Sequence, residues 1–174
     1  MVIKKFLLII IIIPLLLSLS SCSSYNVATR DDKKIAETRL EEIIEALEKE
    51  DEEALKDMFS SNALKQANEI DSGIEYVMNF YEGKVISIEG SLESSDSKNN
   101  GEVKSELKGF YIVTTDKDEY IVFFIDQLVN TQNPDNVGLY MLQIIKLEDR
   151  DKYFDWGNET ICAGIYRPDI TEDK

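Results

Sequence analysis

The sequence predicts an α+β fold in which three helices come first and an antiparallel sheet comes after them. Between residues 33 and 81, apolar residues recur at spacings of three and four, which is the period of a helix with one buried face. From residue 85 to residue 147, the pattern changes to runs rich in β-branched and aromatic residues, joined by short polar connections. The expected architecture is therefore three N-terminal helices packed on an antiparallel sheet.

The first helix is predicted over residues 33–49. The second is predicted to begin at the acidic residues 51–53, because acids suit the positive end of a helix dipole, and to end near Phe59. The third is signalled by Ser72 and Glu75, which have capping-box spacing, and it stops at Gly83. The residues expected to form the core across the first junction are Ile43, Ile44, Leu47, Leu55 and Phe59.

Four strands are predicted, and the last three of them are expected to form an antiparallel meander. A polar turn is predicted over residues 94–101, and a break or bulge at Gly109. Several strands are apolar on both faces, so the side away from the helices needs a cover, either the C-terminal tail with Tyr153, Phe154 and Trp156 or a second copy. The predicted strands are 85–92, 103–115, 119–130 and 137–147.

The N-terminus has the order of features of a bacterial lipoprotein signal. Lys4 and Lys5 precede an apolar run that is too short to span a bilayer, and the box Leu19-Ser20-Ser21-Cys22 closes it. This box resembles the lipoprotein consensus. We expect a signal peptide over residues 1–21, acyl chains such as palmitate on Cys22, a tether over 22–32 and one domain over 33–174. An ordinary secretory signal and an uncleaved anchor remain the alternatives.

Charge and composition exclude several classes of function. Removing residues 1–21 takes away two lysines and no acids, which leaves 17 basic against 34 acidic residues and a net charge of about −17. Such a chain is repelled by phosphates, so we expect no nucleic-acid binding. The absence of histidine excludes Ser-His-Asp hydrolases, Cys-His proteases and histidine-ligated zinc. We expect no metal and no cofactor, and we expect Cys162 to be a small core residue.

The stretch from Ile44 to Ser60 places an alanine-leucine pair at the end of one helix, and an acid, a leucine and a phenylalanine in the next. This pattern resembles the nuclear-transport-factor-two-like superfamily, which includes SnoaL-like domains, over residues 33–148. The whole chain resembles an uncharacterised family of Gram-positive lipoproteins assigned to that fold. The resemblance implies a cystatin-like cone with a curved sheet, a pocket between helices and sheet, and a homodimer through the outer face of the sheet.

Two functions are compatible with these features. The first is a membrane-anchored, extracytoplasmic and non-catalytic domain that binds a small molecule or a protein partner. The second is a small-molecule isomerase or lyase of ketosteroid-isomerase type, which would need a buried carboxylate with hydrogen-bond donors. Asp126 interrupts an apolar strand face, so we predict that it marks the polar end of a ligand pocket. A solvent-exposed or salt-bridged Asp126 is the alternative; the tyrosines considered with it are Tyr111, Tyr120 and Tyr140.

Overall fold

The computed structural model describes residues 30–168, so the predicted signal peptide, Cys22 and most of the tether lie outside the described residues. Within that range the fold is mixed α/β, with five α-helices and one mostly antiparallel five-stranded sheet. The helices are α1 Asp32–Lys49, α2 Glu52–Asp57, α3 Ser61–Gln66, α4 Ile70–Phe80 and α5 Arg150–Tyr153. The strands are β1 Val85–Asn99, β2 Glu102–Thr115, β3 Glu119–Asn130, β4 Gly138–Lys146 and β5 Gly164–Ile165.

Four helices precede the sheet, where three were predicted. The additional helix is α3, whose N-cap Ser60 accepts a hydrogen bond from the Ala63 amide at 3.1 Å. The predicted capping box at Ser72 is wrong, because α4 begins at Ile70 after Glu69, which adopts a left-handed conformation and makes no side-chain cap. Ser72 therefore lies inside the first turn of α4.

The sheet order is β1-β2-β3-β4-β5. The meander predicted for β2, β3 and β4 is confirmed, and β1 joins it through its antiparallel pairing with β2. The predicted turn over residues 94–101 is wrong in its extent, because β1 continues to Asn99. Asn100 and Gly101, with φ of 50° and 88°, form a two-residue connection of the kind that matches strand twist. The polar residues before them belong to an exposed edge strand.

Gly109 does not break or bulge β2, since the ladder runs through it on both sides. A Cβ added at Gly109 would lie 2.4 Å from Cζ of Phe124. The glycine is needed because the Phe124 ring occupies the space of a side chain.

Both faces of the sheet carry a buried apolar cluster. One cluster joins side chains of α1–α4 to Val122 and Phe124 of β3, and it contains all five residues predicted for the core. The other contains Ile121, Phe123 and Ile125, the intervening side chains of the same strand. Alternate residues of a strand point to opposite faces, so β3 is buried on both.

The C-terminal tail, one of the two covers predicted, packs on the second face. Tyr153 and Phe154 pack against this cluster, and the Phe154 ring lies 5.4 Å from that of Phe123. The tail then adds β5, which pairs with β4 in parallel and brings Tyr166 into the same cluster. Cys162 is only half-buried at its margin, and burial raises the pKa of its thiol to about 11.

The loop after Phe154 is organised by one carboxylate. Asp155 accepts hydrogen bonds from the backbone amides of residues 157–160 and from the Thr160 hydroxyl. Burial raises the pKa of Asp155, but the hydrogen bonds from Thr160 and from the amides outweigh burial, so the pKa is lowered. At a pH above the ordinary pKa of an aspartate, the Asp155 carboxylate is ionised, and its hydrogen bonds stabilise this conformation of the loop.

Truncation of the helix-side core tests the fold. Leu47→Ala or Phe59→Ala should lower the free energy of unfolding by about 2–5 kcal/mol, because each removes a side chain that is at most 5% exposed and leaves a cavity. The measurement is denaturant unfolding followed by circular dichroism. Ile86→Ala is the control, since Ile86 is 68% exposed. A loss below about 0.5 kcal/mol at Leu47 and Phe59 would contradict the assignment of these residues to the core.

Candidate functional site

The candidate site is built around Asp126, a carboxylate on the helix-facing side of β3. Its side chain is only 2% exposed, and its Oδ2 accepts a hydrogen bond from Nε of Arg39 on α1 at 2.7 Å. Arg39 also donates from Nη1 to Glu42 at 2.8 Å. One guanidinium thus binds two carboxylates, one buried and one at the surface.

Two irregularities in the ladder flank Asp126. Between β2 and β3 the register passes over Leu128, since Ser105 pairs with Val129 and Glu106 with Gln127. Between β3 and β4 it passes over Tyr140, since Ile125 pairs with Met141 and Asp126 with Leu139. Bulges of this kind bend a strand and re-aim its side chains. Both neighbours of β3 therefore change register at the place where the carboxylate points toward α1.

A cavity of about 260 Å³ opens beside the ion pair. Leu128 and Ile35 give it an apolar wall, and Asp126 and Arg39 form its polar end. The remaining lining residues come from α1 and are Lys34, Thr38 and Glu42. The cavity can hold a small molecule with one apolar side and one polar end.

The predicted tyrosines do not converge on Asp126. The hydroxyl of Tyr120 accepts from the Glu82 amide at 3.0 Å and donates to the Phe80 carbonyl at 3.4 Å. Tyr120 stands six residues from Asp126 on the same strand, which corresponds to about 20 Å. Tyr140 lines a separate cavity with Ile125 and Gln127.

Tyr111 shares the helix-facing cluster with Phe124 and stacks on its ring at 6.1 Å. It pairs with Val122, four residues from Asp126 and so about 13 Å along the strand. Burial, followed by the negative charge of Glu37, raises the pKa of the Tyr111 hydroxyl. None of the three tyrosine hydroxyls is hydrogen-bonded to Asp126 within residues 30–168, and the assignment of a ligand to this site stays a prediction.

Sequence reasoning missed Arg39, although a signal for it was present. Arg39 stands three residues after Ala36 and four before Ile43, both fully buried, so it lies on the apolar stripe of α1. A cation on a buried helix face and an anion on a buried strand face are each costly alone. Their coincidence predicts a pair, and the salt-bridged alternative for Asp126 is the one observed.

Over residues 30–168, no group of three or more acidic or cysteine side chains is placed to hold a metal ion. No helix in the same range is both long enough and apolar enough to cross a membrane.

By its fold and site, the chain is a mixed α/β domain with a buried arginine-carboxylate pair between its first helix and a mostly antiparallel sheet. It belongs to the family described as Domain of unknown function (DUF5104), which matches residues 42–147. The match includes Asp126 and all four antiparallel strands, whereas Arg39 and the C-terminal tail lie outside it. No curated protein matches the chain.

The ion pair should contribute strongly to stability through the cost of leaving one partner alone. Arg39→Met should lower the free energy of unfolding by about 3–5 kcal/mol, because it leaves the carboxylate of Asp126 buried without a cation. The double variant Arg39→Met with Asp126→Asn should recover a large part of that loss. Denaturant unfolding of the wild type, both single variants and the double variant measures the coupling.

Lys33→Met is the matched control, because Lys33 lies on the same helix in a highly exposed pair with Glu37. Additive effects of the two single substitutions would show that Arg39 and Asp126 are not coupled.

Proposed function

We propose that the protein is a lipoprotein anchored through acyl chains on Cys22 at the extracytoplasmic face of a Gram-positive cell membrane, and that its domain binds a ligand without catalysis. The anchoring is supported by the ordered features of the first 22 residues, namely the lysines, the apolar run and the box ending at Cys22. Two or more acyl chains hold a protein stably at a membrane, whereas one chain does not.

The domain would be held close to the membrane surface. Ten residue steps separate Cys22 from Asp32, where α1 begins, and a chain of that length reaches at most about 36 Å. A polar linker of that length has a mean reach of about 16–19 Å. The net charge of about −17 would orient the domain away from anionic lipid, so the tether and the charge act in opposite directions.

The observation that carries the non-catalytic part of the proposal is the bond between Arg39 and Asp126. A carboxylate that acts as a general base in an isomerase must be free to take a proton from the substrate. Here the buried oxygen is engaged by a guanidinium at 2.7 Å, and no tyrosine hydroxyl is bonded beside it among the described residues. The pair is better suited to fix the polar end of a ligand than to move a proton.

The nuclear-transport-factor-two-like cone is also part of the proposal. The order of helices before an antiparallel sheet, the apolar cluster shared by both, and the burial of Leu55 and Phe59 in that cluster support it. A homodimer through the outer face is less favoured, because the tail already covers Phe123 and Ile125 there.

Anchoring is tested by substitution of the two cysteines. Cys22→Ala should leave an uncleaved precursor and abolish labelling by a fatty-acid probe. Cys162→Ala is the control and should label as the wild type does, because Cys162 lies in the folded domain. Labelling that persists in Cys22→Ala would contradict a lipid anchor at this residue.

Ligand binding is tested at the cavity beside Arg39. In a thermal-shift screen of small metabolites against the full chain, we expect a stabilising compound that binds wild type and fails to bind Thr38→Trp, because Thr38 is exposed on α1 at the cavity and an indole there fills it. A ligand at about 100 times its Kd stabilises by about 2.7 kcal/mol. Glu41→Trp, on the same helix outside this cavity, is the control. Turnover of a screened compound would favour the isomerase alternative instead.

A further inference from the structure

Another cavity, of about 260 Å³, lies on the tail-facing side of the sheet beside Trp156. Two neighbouring rows of the β1–β2 ladder form its floor, since Ser91 pairs with Phe110 and Glu93 with Lys108. Phe123 of β3 and Trp156 of the tail complete the wall. The sheet separates this cavity from the one beside Asp126, so a ligand here would bind independently of that site and of the lipid anchor.

Trp156 is fixed in an unusual conformation and left half-exposed. Its backbone φ is 62°, a value that is rare for a bulky residue, and its side chain is 46% exposed. The indole lies 4.8 Å from the Phe110 ring and 5.0 Å from the Phe154 ring, and the loop held by Asp155 continues directly from it. Strained backbone that the surroundings hold in place is characteristic of functional sites.

Gly157 explains how the loop reaches this position. Its φ is 67°, and a Cβ there would lie 3.2 Å from the Phe123 ring. The chain can therefore lie directly on the sheet at Gly157, next to Trp156, which lines the cavity.

The polar groups of the cavity are available to a ligand. Glu93 and Lys108 stand opposite each other across the strands, yet neither makes a salt bridge or a side-chain hydrogen bond to another residue in the part of the chain that the structure describes. Ser91 adds a hydroxyl that can donate and accept. Arg150 is engaged over the Phe110 ring at 5.8 Å and does not line the cavity.

We propose that this cavity is a carbohydrate-binding site that takes one neutral pyranose ring of a glycan. A pyranose has an apolar face of C–H groups, which suits the exposed indole, and a rim of hydroxyls, which suits a carboxylate acceptor, an ammonium donor and a serine. The opposite charges of Glu93 and Lys108 balance, which favours a neutral ligand, and the acidic chain disfavours an anion. The volume lies below the range of about 300–1,000 Å³ of drug-sized ligand pockets, as expected for a single ring.

Trp156 is the only tryptophan of the chain, so its fluorescence reports on the proposed site directly. The full chain, purified in a polyoxyethylene detergent without a sugar headgroup, is titrated with chitotriose, cellotriose and maltotriose up to about 10 mM, tenfold above a Kd of about 1 mM. We expect a saturable change in emission with at least one trisaccharide. No saturable change with any of the three overturns the proposal.

The variants separate this site from non-specific effects. Glu93→Ala and Lys108→Ala should each raise the Kd about tenfold or more, and Trp156→Phe, measured by calorimetry, should weaken binding through loss of indole area. Glu89→Ala is the matched control: it is exposed and lies on the same face of β1 outside the cavity, so its Kd should equal that of wild type. Unchanged affinity in both Glu93→Ala and Lys108→Ala overturns the proposal.

Two other occupants would also overturn it. A sugar-independent change in emission with protein concentration, matched by dimer formation in sedimentation, would mean that a second copy covers Trp156. Saturable binding of free phenylalanine together with no response to the trisaccharides would mean that the pair Glu93 and Lys108 binds a zwitterion.

Discussion

A strand that is apolar on both faces has to be covered on both sides, and β3 imposes this requirement on the whole chain. Every residue from Tyr120 to Gln127 is buried. One layer of helices can cover only one side of an antiparallel sheet, so the chain supplies a second cover after β4. The tail from Tyr153 to Tyr166 meets that need, and β5 extends the sheet at the edge where the tail returns. The need for a tail after β4 therefore follows from the apolar composition of β3.

The same burial makes Asp126 depend on Arg39. A carboxylate that is 2% exposed is costly unless a cation and hydrogen bonds stabilise it, and the only element facing this part of β3 that brings a cation to it in the described chain is α1. The two residues are 87 positions apart. Their bond fixes where α1 lies relative to β3, at the point where both neighbouring strands change register. The polar end of the cavity is thus a consequence of how the helix is positioned.

Local patterns predicted the elements well, whereas contacts distant in sequence were missed. The strand Glu119–Asn130 was predicted with its observed bounds, because turn residues bracket a long β-branched run. The turn at Asn100-Gly101 is also a local feature of the sequence. The extent of the preceding strand was missed, because its last six residues, 94–99, are polar and such a run is typical of a loop unless an exposed edge strand is considered. Ser60 was missed for a different reason, since it caps a helix of only six residues.

The candidate site shows which relations between residues can be predicted from the sequence and which cannot. Asp126 could be identified from its strand, because an acid on an apolar face has few explanations. Its relation to Tyr111 and Tyr140 depended on cross-strand register, and two bulges changed the register within a few residues. The separation from Tyr120 does not depend on register, since both residues lie on β3. Strand periodicity alone cannot show where an extra residue is accommodated.

The cavity beside Trp156 arises from the same requirement of two covered faces. The tail covers the sheet over β3 and β4, but β1 is the longest strand, at 15 residues, and its tail-facing side chains are exposed. The cover therefore ends over β2, beside Phe110, and its last aromatic side chain there is Trp156. The Trp156 indole contacts the Phe110 and Phe154 rings and is still 46% exposed. Glu93 of β1 and Lys108 of β2 line the same cavity and place a carboxylate and an ammonium near it. Since Gly157 and Asp155 hold the loop in one conformation, little ordering remains to oppose binding, and a rigid aromatic with adjacent polar groups is suited to recognise a ligand that is itself apolar on one face and polar at its rim.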